Sequence, residues 1–171
     1  LGSDPQTVEK VCSRYPNVWA VNYNHPGQTV ISGDAANCLA AARELEEAGA
    51  KTSRLGVSSA FHTPMMEQAA FQFQLLVQDI AYRPPQWDFY SNLTGEKLVP
   101  ENFSEYFAQH MVSPVQFSRQ IAAMVADGVE CCVEFGPKRT ASTLAKKNCR
   151  SLAVYQVEDM ETLKKTAQAL A

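Results

Sequence analysis

Residues 129–135 read VECCVEF and residues 151–157 read SLAVYQV, two short apolar runs separated by Gly136-Pro137 and a helix-forming stretch through Lys147. A strand, a connecting helix and a second strand in one sheet return in the same direction, so this segment is constrained to a parallel pair with a crossover helix. Upstream the alternation continues. Residues 64–80 place Met66, Ala69, Ala70, Phe73, Leu76, Val77 and Ile80 on one face of an amphipathic helix that Pro84-Pro85 closes. Residues 87–92 (WDFYSN) read as a strand, residues 103–110 as a short helix capped by Asn102, and residues 115–126 as a longer helix ending at Asp127-Gly128. Strands alternating with helices over residues 63–171 predict an α/β sheet covered on both faces, finished by a helix from Asp159.

The first third of the chain has a different rhythm. Asp4-Pro5 supplies an N-cap and first-turn proline for a helix to Cys12. Residues 18–24 (VWAVNYN) and 29–32 (TVIS) flank His25-Pro26-Gly27-Gln28, a hairpin signal. Asp34 caps a helix over residues 35–48 with Gly49 at its C′ position, and residues 51–57 return as a strand. The order αββαβ is one strand short of the split-βαβ, ferredoxin-like unit βαββαβ. The remaining strand is expected just before Leu1, and with no initiating methionine the sequence reads as part of a longer chain. The expected division is a small ferredoxin-like subdomain over residues 1–57 and a larger α/β part over residues 58–171, with a seam at residues 57–62.

Composition narrows the function classes. A chain of 171 residues that is 46% apolar and 19% charged can bury a globular core. The net charge of −3 comes from interspersed residues, which offers nucleic acid no basic face. No apolar run approaches the roughly 18 residues that span a bilayer, and the first residues, LGSDPQTVEK, lack the basic and apolar regions of a signal peptide. Five cysteines, odd in number and without C-x-x-C spacing, suggest neither a disulfide framework nor a zinc knuckle and fit a reducing, cytoplasmic setting.

The seam carries SSAFHTPMM, residues 58–66. Thr63 as N-cap and Pro64 at the first helical position set His62 against the positive end of a helix dipole, which favours a neutral, proton-accepting imidazole; a partly buried histidine bonded to backbone is the alternative. Gly56-Val57-Ser58-Ser59-Ala60 imitates a nucleophile elbow, but the helix starts too late for Ser58 to meet His62, and no G-x-S-x-G occurs. Cys131 and Cys132 lie in an apolar strand, where a buried thiol is normally inert. Ser113-Pro114-Val115-Gln116 reads as a capping box, with Gln116 at N3. Residues 136–140 (GPKRT) end a strand and begin a helix, a place that could hold a phosphate or simply expose Lys138 and Arg139 to solvent. Asn22 and Asn24 alternate on one strand face, His25 and His110 read as exposed, and no spacing suggests a metal.

Taken together, NYNHPGQTVISG, VSSAFHTPMM, the SNLTG strand end, SPVQF and VEFGP resemble the malonyl-CoA:acyl carrier protein transacylase family and the related acyltransferase domains of fatty acid and polyketide synthases. The resemblance implies an α/β-hydrolase-like large subdomain, of which this chain holds the C-terminal part, and a ferredoxin-like small subdomain. It implies a ping-pong transfer of malonyl from coenzyme A, through a serine, to the phosphopantetheine thiol of acyl carrier protein, with no cofactor beyond these substrates. On it, His62 corresponds to the general base, and Gln116 to the glutamine whose main-chain carbonyl orients that base. Asn92, Asn22 and Asn24 correspond to asparagines lining the cleft, and Phe61 to the bulky residue that excludes an α-methyl branch.

The resemblance leaves the nucleophile outside the chain. The family's Gly-His-Ser-Leu-Gly elbow, its oxyanion-hole loop and the arginine that meets the malonyl carboxylate have no counterpart in these 171 residues. The expectation is a chain that supplies the histidine and not the serine, inactive alone, whose partner is the N-terminal half of a longer acyltransferase. Two other readings stand beside it: a non-catalytic module that docks carrier protein, and a Cys132–His62 hydrolase.

Overall fold

The computed structural model describes residues 1–171 as two compact units, Leu1–Gln120 and Ile121–Ala171. In the first, Asp4 caps α1 (Pro5–Cys12), its carboxylate accepting the Thr7 amide at 3.0 Å and hydroxyl at 2.7 Å. Strands β1 (Val18–His25) and β2 (Gln28–Gly33) pair antiparallel, and Asp34 caps α2 (Ala35–Glu47) by accepting the Asn37 amide at 3.0 Å. Val8, Val11 and Cys12 of α1, Val18 and Ala20 of β1, and Ala41 and Leu45 of α2 close on one another as a core, joined by Ala50. These helices bury one stripe and the hairpin one face, the arrangement that αββ patterning dictates.

Two expected strands do not form. Residues 51–57 are exposed and form no regular element, exchanging backbone hydrogen bonds with Leu1 at Lys51, 2.8 Å each way, and no ladder follows. An extended segment becomes a strand only where a neighbour satisfies its N–H and C=O groups in succession. Residues 87–92 make a single antiparallel bridge, Tyr90 with Lys97, closing a loop instead of entering a sheet.

A 3₁₀ turn (Pro64–Met66) leads into α3 (Glu67–Val77), which packs on α4 (Phe103–Val112). Asn102 caps α4, accepting the amides of Ser104 at 3.0 Å and Glu105 at 3.3 Å. The apolar face expected for α3 is only partly covered: Ala70 is buried, whereas Phe73, Ile80 and Leu76, the last 79% accessible, lie open. Tyr82, Phe103 and Phe107 form an aromatic cluster, with ring centroids 5.3 to 6.2 Å apart.

Helix α5 (Phe117–Ala126) begins in the first unit and continues into the second. There, β3 (Cys131–Phe135), α6 (Thr140–Asn148) and β4 (Ala153–Val157) form the expected parallel crossover, in register from Cys131 with Ala153 to Phe135 with Val157. Leu152 and Ala145 anchor its interior. Helix α7 (Met160–Leu170) is closed by a capping box between Asp159 and Thr162. Each unit is thus a mixed α/β arrangement around a two-stranded sheet. No helix is long and apolar enough to cross a membrane.

Candidate active site

Residues 110–116, from the end of α4 to the start of α5, tie the candidate residues together. At one end His62 donates its amide to the Met111 carbonyl at 3.1 Å, and its Nδ1 lies 3.0 Å from the His110 carbonyl. At the other, Val115 bridges Asn22 in parallel fashion: its amide donates to Val21 O at 2.8 Å and its carbonyl accepts the Tyr23 amide at 2.9 Å. One residue on, the Gln116 amide donates to the Asn92 carbonyl at 2.8 Å. Seven residues therefore fasten His62, Asn22 and Asn92 to one strap.

This geometry displaces the expected capping box. Ser113 is extended (φ −114°, ψ 151°), as a residue before proline must tend to be, and Val115 is committed to β1. Helix α5 starts at Phe117, with the Gln116 carbonyl accepting the Gln120 amide at 2.9 Å, so Gln116 stands at the N-cap and not at N3. The carbonyl that faces His62 Nδ1 is that of His110. A carbonyl can only accept, so Nδ1 carries the proton and Nε2 keeps its lone pair, the form a base requires.

His62 itself sits at φ 62°, the left-handed region that L-residues seldom occupy, at a cost of about 1 kcal/mol. Its neighbour holds it there. Thr63 is fully buried, with Oγ1 donating to Ala60 O at 2.6 Å and accepting the Met65 amide at 3.2 Å, which caps the following turn. Such a conformation persists only where surrounding bonds over-determine it.

The other candidates are placed as follows. β1 carries bulges between Ala20 and Asn22 and between Tyr23 and His25, so Asn24 falls in the second bulge and strict alternation with Asn22 is broken. Asn24 meets Gln28 at 3.4 Å. Asn92 is half-buried, its carboxamide oxygen enclosed without a partner. Phe61, beside the base, is 49% exposed.

His110, expected to be exposed, is half-buried, and burial together with the neighbouring His62 lowers its pKa below the ordinary histidine value. The signal for it was available: Phe103, Tyr106, Phe107 and His110 recur at i, i+3, i+4 and i+7, one stripe of α4.

Two candidates lose their chemistry. The N-terminus of α6, read as a possible phosphate cradle, already holds an anion: the Glu134 carboxylate accepts the amides of Ala141 at 3.0 Å and Ser142 at 2.8 Å, and the Ser142 hydroxyl at 2.6 Å. Lys138 and Arg139 flank a filled site. Burial and the adjacent Cys131 raise the Cys132 thiol, which makes it a poorer thiolate source at neutral pH. All five cysteines are free, and no group of three or more His, Cys, Asp or Glu side chains converges as metal ligands would.

The chain is a member of the acyl transferase domain family, whose model matches residues 2–168. It is 31% identical to the malonyl CoA-acyl carrier protein transacylase of Bacillus subtilis over 176 residues, 99% of this chain and 56% of that protein. It is 36% identical over 145 residues to a polyunsaturated fatty acid synthase of Thraustochytrium sp., 84% of this chain and 5% of that one. The crystal structure of malonyl CoA-acyl carrier protein transacylase from Clostridium perfringens superposes with a TM-score of 0.93 at 31% identity, covering 98% of this chain and 54% of that one. The chain spans about half the length of the transacylases it matches.

Proposed function

We propose that this chain is the base-bearing part of a malonyl-CoA:acyl carrier protein transacylase, comprising a ferredoxin-like small subdomain (residues 1–57) and the C-terminal part of an α/β-hydrolase-like subdomain (residues 58–171). The observation that carries the reading is the His62 Nδ1 contact with the His110 carbonyl at 3.0 Å, which leaves Nε2 as the proton acceptor. In the first half-reaction Nε2 takes the proton of a serine hydroxyl as the serine oxygen attacks the malonyl thioester carbonyl; the coenzyme A sulfur leaves and recovers that proton. In the second, the phosphopantetheine thiol of acyl carrier protein gives its proton to Nε2 and attacks the serine ester, and the serine is reprotonated. The serine comes from outside these 171 residues, which hold no G-x-S-x-G, so the chain alone is inactive.

Gln116 is assigned to orienting the base indirectly, by fastening the strap whose other end presents the His110 carbonyl to Nδ1, while Asn92, Asn22 and Asn24 line the acyl path. Phe61 limits the acyl group to unbranched malonyl. Five free cysteines suit a cytoplasmic enzyme acting on coenzyme A thioesters and carrier protein.

The test is intact mass spectrometry of the full-length parent after exposure to malonyl-CoA. A serine-linked malonyl adduct is expected, forming and discharging at least ~100-fold more slowly in His62→Ala. An unmodified wild type would indicate a non-catalytic carrier-docking module instead.

A further inference from the structure

The helix end that supplies the acceptor for His62 also brings a second imidazole against it. The His110 ring lies 5.3 Å from that of His62, centroid to centroid, with the planes 73° apart, an edge-to-face contact. His110 also stacks on Tyr106, at 6.3 Å and 13°. The Tyr106 hydroxyl in turn shares a 3.0 Å hydrogen bond with Oγ of Ser91, which is fully buried and immediately precedes Asn92. Phe89 packs edge to face on Tyr106 at 5.7 Å. The base therefore rests against a ring whose own orientation is set by a buried column running from Ser91 through Tyr106.

A ring in that position has to remain uncharged for the base to work, because two imidazolium ions at this separation would repel strongly. His110 meets the condition. Its Nε2 is enclosed without a hydrogen-bond partner, and burial, with His62 beside it, disfavours its protonated form. An edge-to-face arrangement of two rings is also directional, so it restricts rotation about the last side-chain torsion of His62 in a way that an aliphatic neighbour of equal volume does not.

Building on the assignment of His62 as the base, we infer that His110 is its positioning residue: the backbone carbonyl fixes which ring nitrogen carries the proton, and the imidazole fixes the plane from which Nε2 faces the acyl group. Substrate contact is not part of this role, which acts through His62 alone.

Two substitutions separate positioning from simple filling of space. His110→Phe keeps a flat ring in the column and removes the enclosed nitrogen, whereas His110→Leu fills a similar volume without a ring face. In long-range ¹H–¹⁵N correlation spectra of the histidine-labelled 171-residue chain, wild type and both variants are expected to show His62 in the single Nδ1–H tautomer, because each keeps the carbonyl of residue 110, while nuclear Overhauser contacts of the His62 ring are expected to report one ring orientation in wild type and His110→Phe and averaged orientations in His110→Leu. In the full-length parent, His110→Leu is expected to lower kcat about 10-fold with KM for malonyl-CoA changed by less than about twofold, and His110→Phe to recover to within about threefold of wild type.

A single His62 ring orientation retained in His110→Leu, or equal losses in both variants, would overturn the inference. Should His62→Ala retain full activity, the base assignment fails instead, and the Overhauser contacts of the His62 ring still report whether His110 holds it.

Discussion

Thr63 clasps Ala60 across His62: its Oγ1 donates to the Ala60 carbonyl at 2.6 Å while accepting the Met65 amide at 3.2 Å, and the side chain has no solvent exposure. The hydroxyl thus serves one acceptor and one donor on either side of a residue at φ 62°. Thr63→Val preserves volume and strands both backbone groups, which costs about 1–3 kcal/mol. Urea unfolding of Thr63→Val should show a lower midpoint with the slope kept, and Thr63→Ser should recover most of the difference. Equal stability of Val and wild type would mean that the clasp does not hold the turn.

The strap makes a second prediction. The Val115 amide donates to Val21 O at 2.8 Å, and one residue later Gln116 donates to Asn92 O, also at 2.8 Å. Val115→Pro deletes the first bond and leaves the Val21 carbonyl without its donor, whereas Val115→Ala keeps the backbone intact. The proline variant is expected to lose about 2–3 kcal/mol and the alanine variant about 1 kcal/mol. On the proposed function, acyl transfer by the full-length Val115→Pro should fall at least ~10-fold below that of Val115→Ala, because His62, Asn22 and Asn92 share the strap. Matching rates in the two variants would separate the strap from the chemistry.

Local chemistry made much of this legible in the sequence. Asp4, Asp34 and Asn102 cap the helices they were expected to cap, since a short side-chain oxygen next to free amides needs no tertiary partner. The β3–α6–β4 crossover was equally plain, because both of its strands lie within 27 residues and pair with each other. Residues 51–57 and 87–92 carry the same strand signals but lack a succession of neighbours, a property that no segment encodes by itself. The helix at Gln116 failed for a related reason: the capping-box pattern was correct locally, and pairing of Val115 with β1 overrode it. SSAFHTPMM singles out His62 as a candidate, but the His110 carbonyl that meets its Nδ1, 48 residues away, cannot be read there.

Gly33 ends β2 at φ 147°, and a Cβ built there would lie 1.9 Å from the Asn17 carbonyl oxygen. That carbonyl accepts the Asp34 amide at 2.8 Å, so it cannot retreat without releasing the cap of α2. Gly33→Ala therefore combines an unfavourable backbone angle with overpacking against backbone, together about 3 kcal/mol. Gly49, also at positive φ (91°), faces open space, and Gly49→Ala should cost only about 1 kcal/mol. Thermal melts of the two variants should differ by several degrees; similar melting temperatures would contradict the close approach at Asn17.

Glu134 gives the second unit a dependence on acid. Partial burial pushes its carboxyl pKa up, but the Ser142 hydroxyl and the amides of Ser142 and Ala141 outweigh it, so the folded value lies below the ordinary carboxylate range. A group with a depressed folded pKa contributes stability that is fully present above its unfolded value and disappears as the pH falls through its folded value. This contribution is therefore present at neutral pH and fades below the model-peptide value of about 4.3. Glu134→Gln removes the charge while keeping the shape, and it should lose about 1 kcal/mol at pH 7 through the weakened α6 cap. Urea midpoints measured at pH 7 and pH 3 should accordingly converge between wild type and Glu134→Gln as the pH drops. A constant difference across that range would show that the carboxylate charge is not what holds the start of α6.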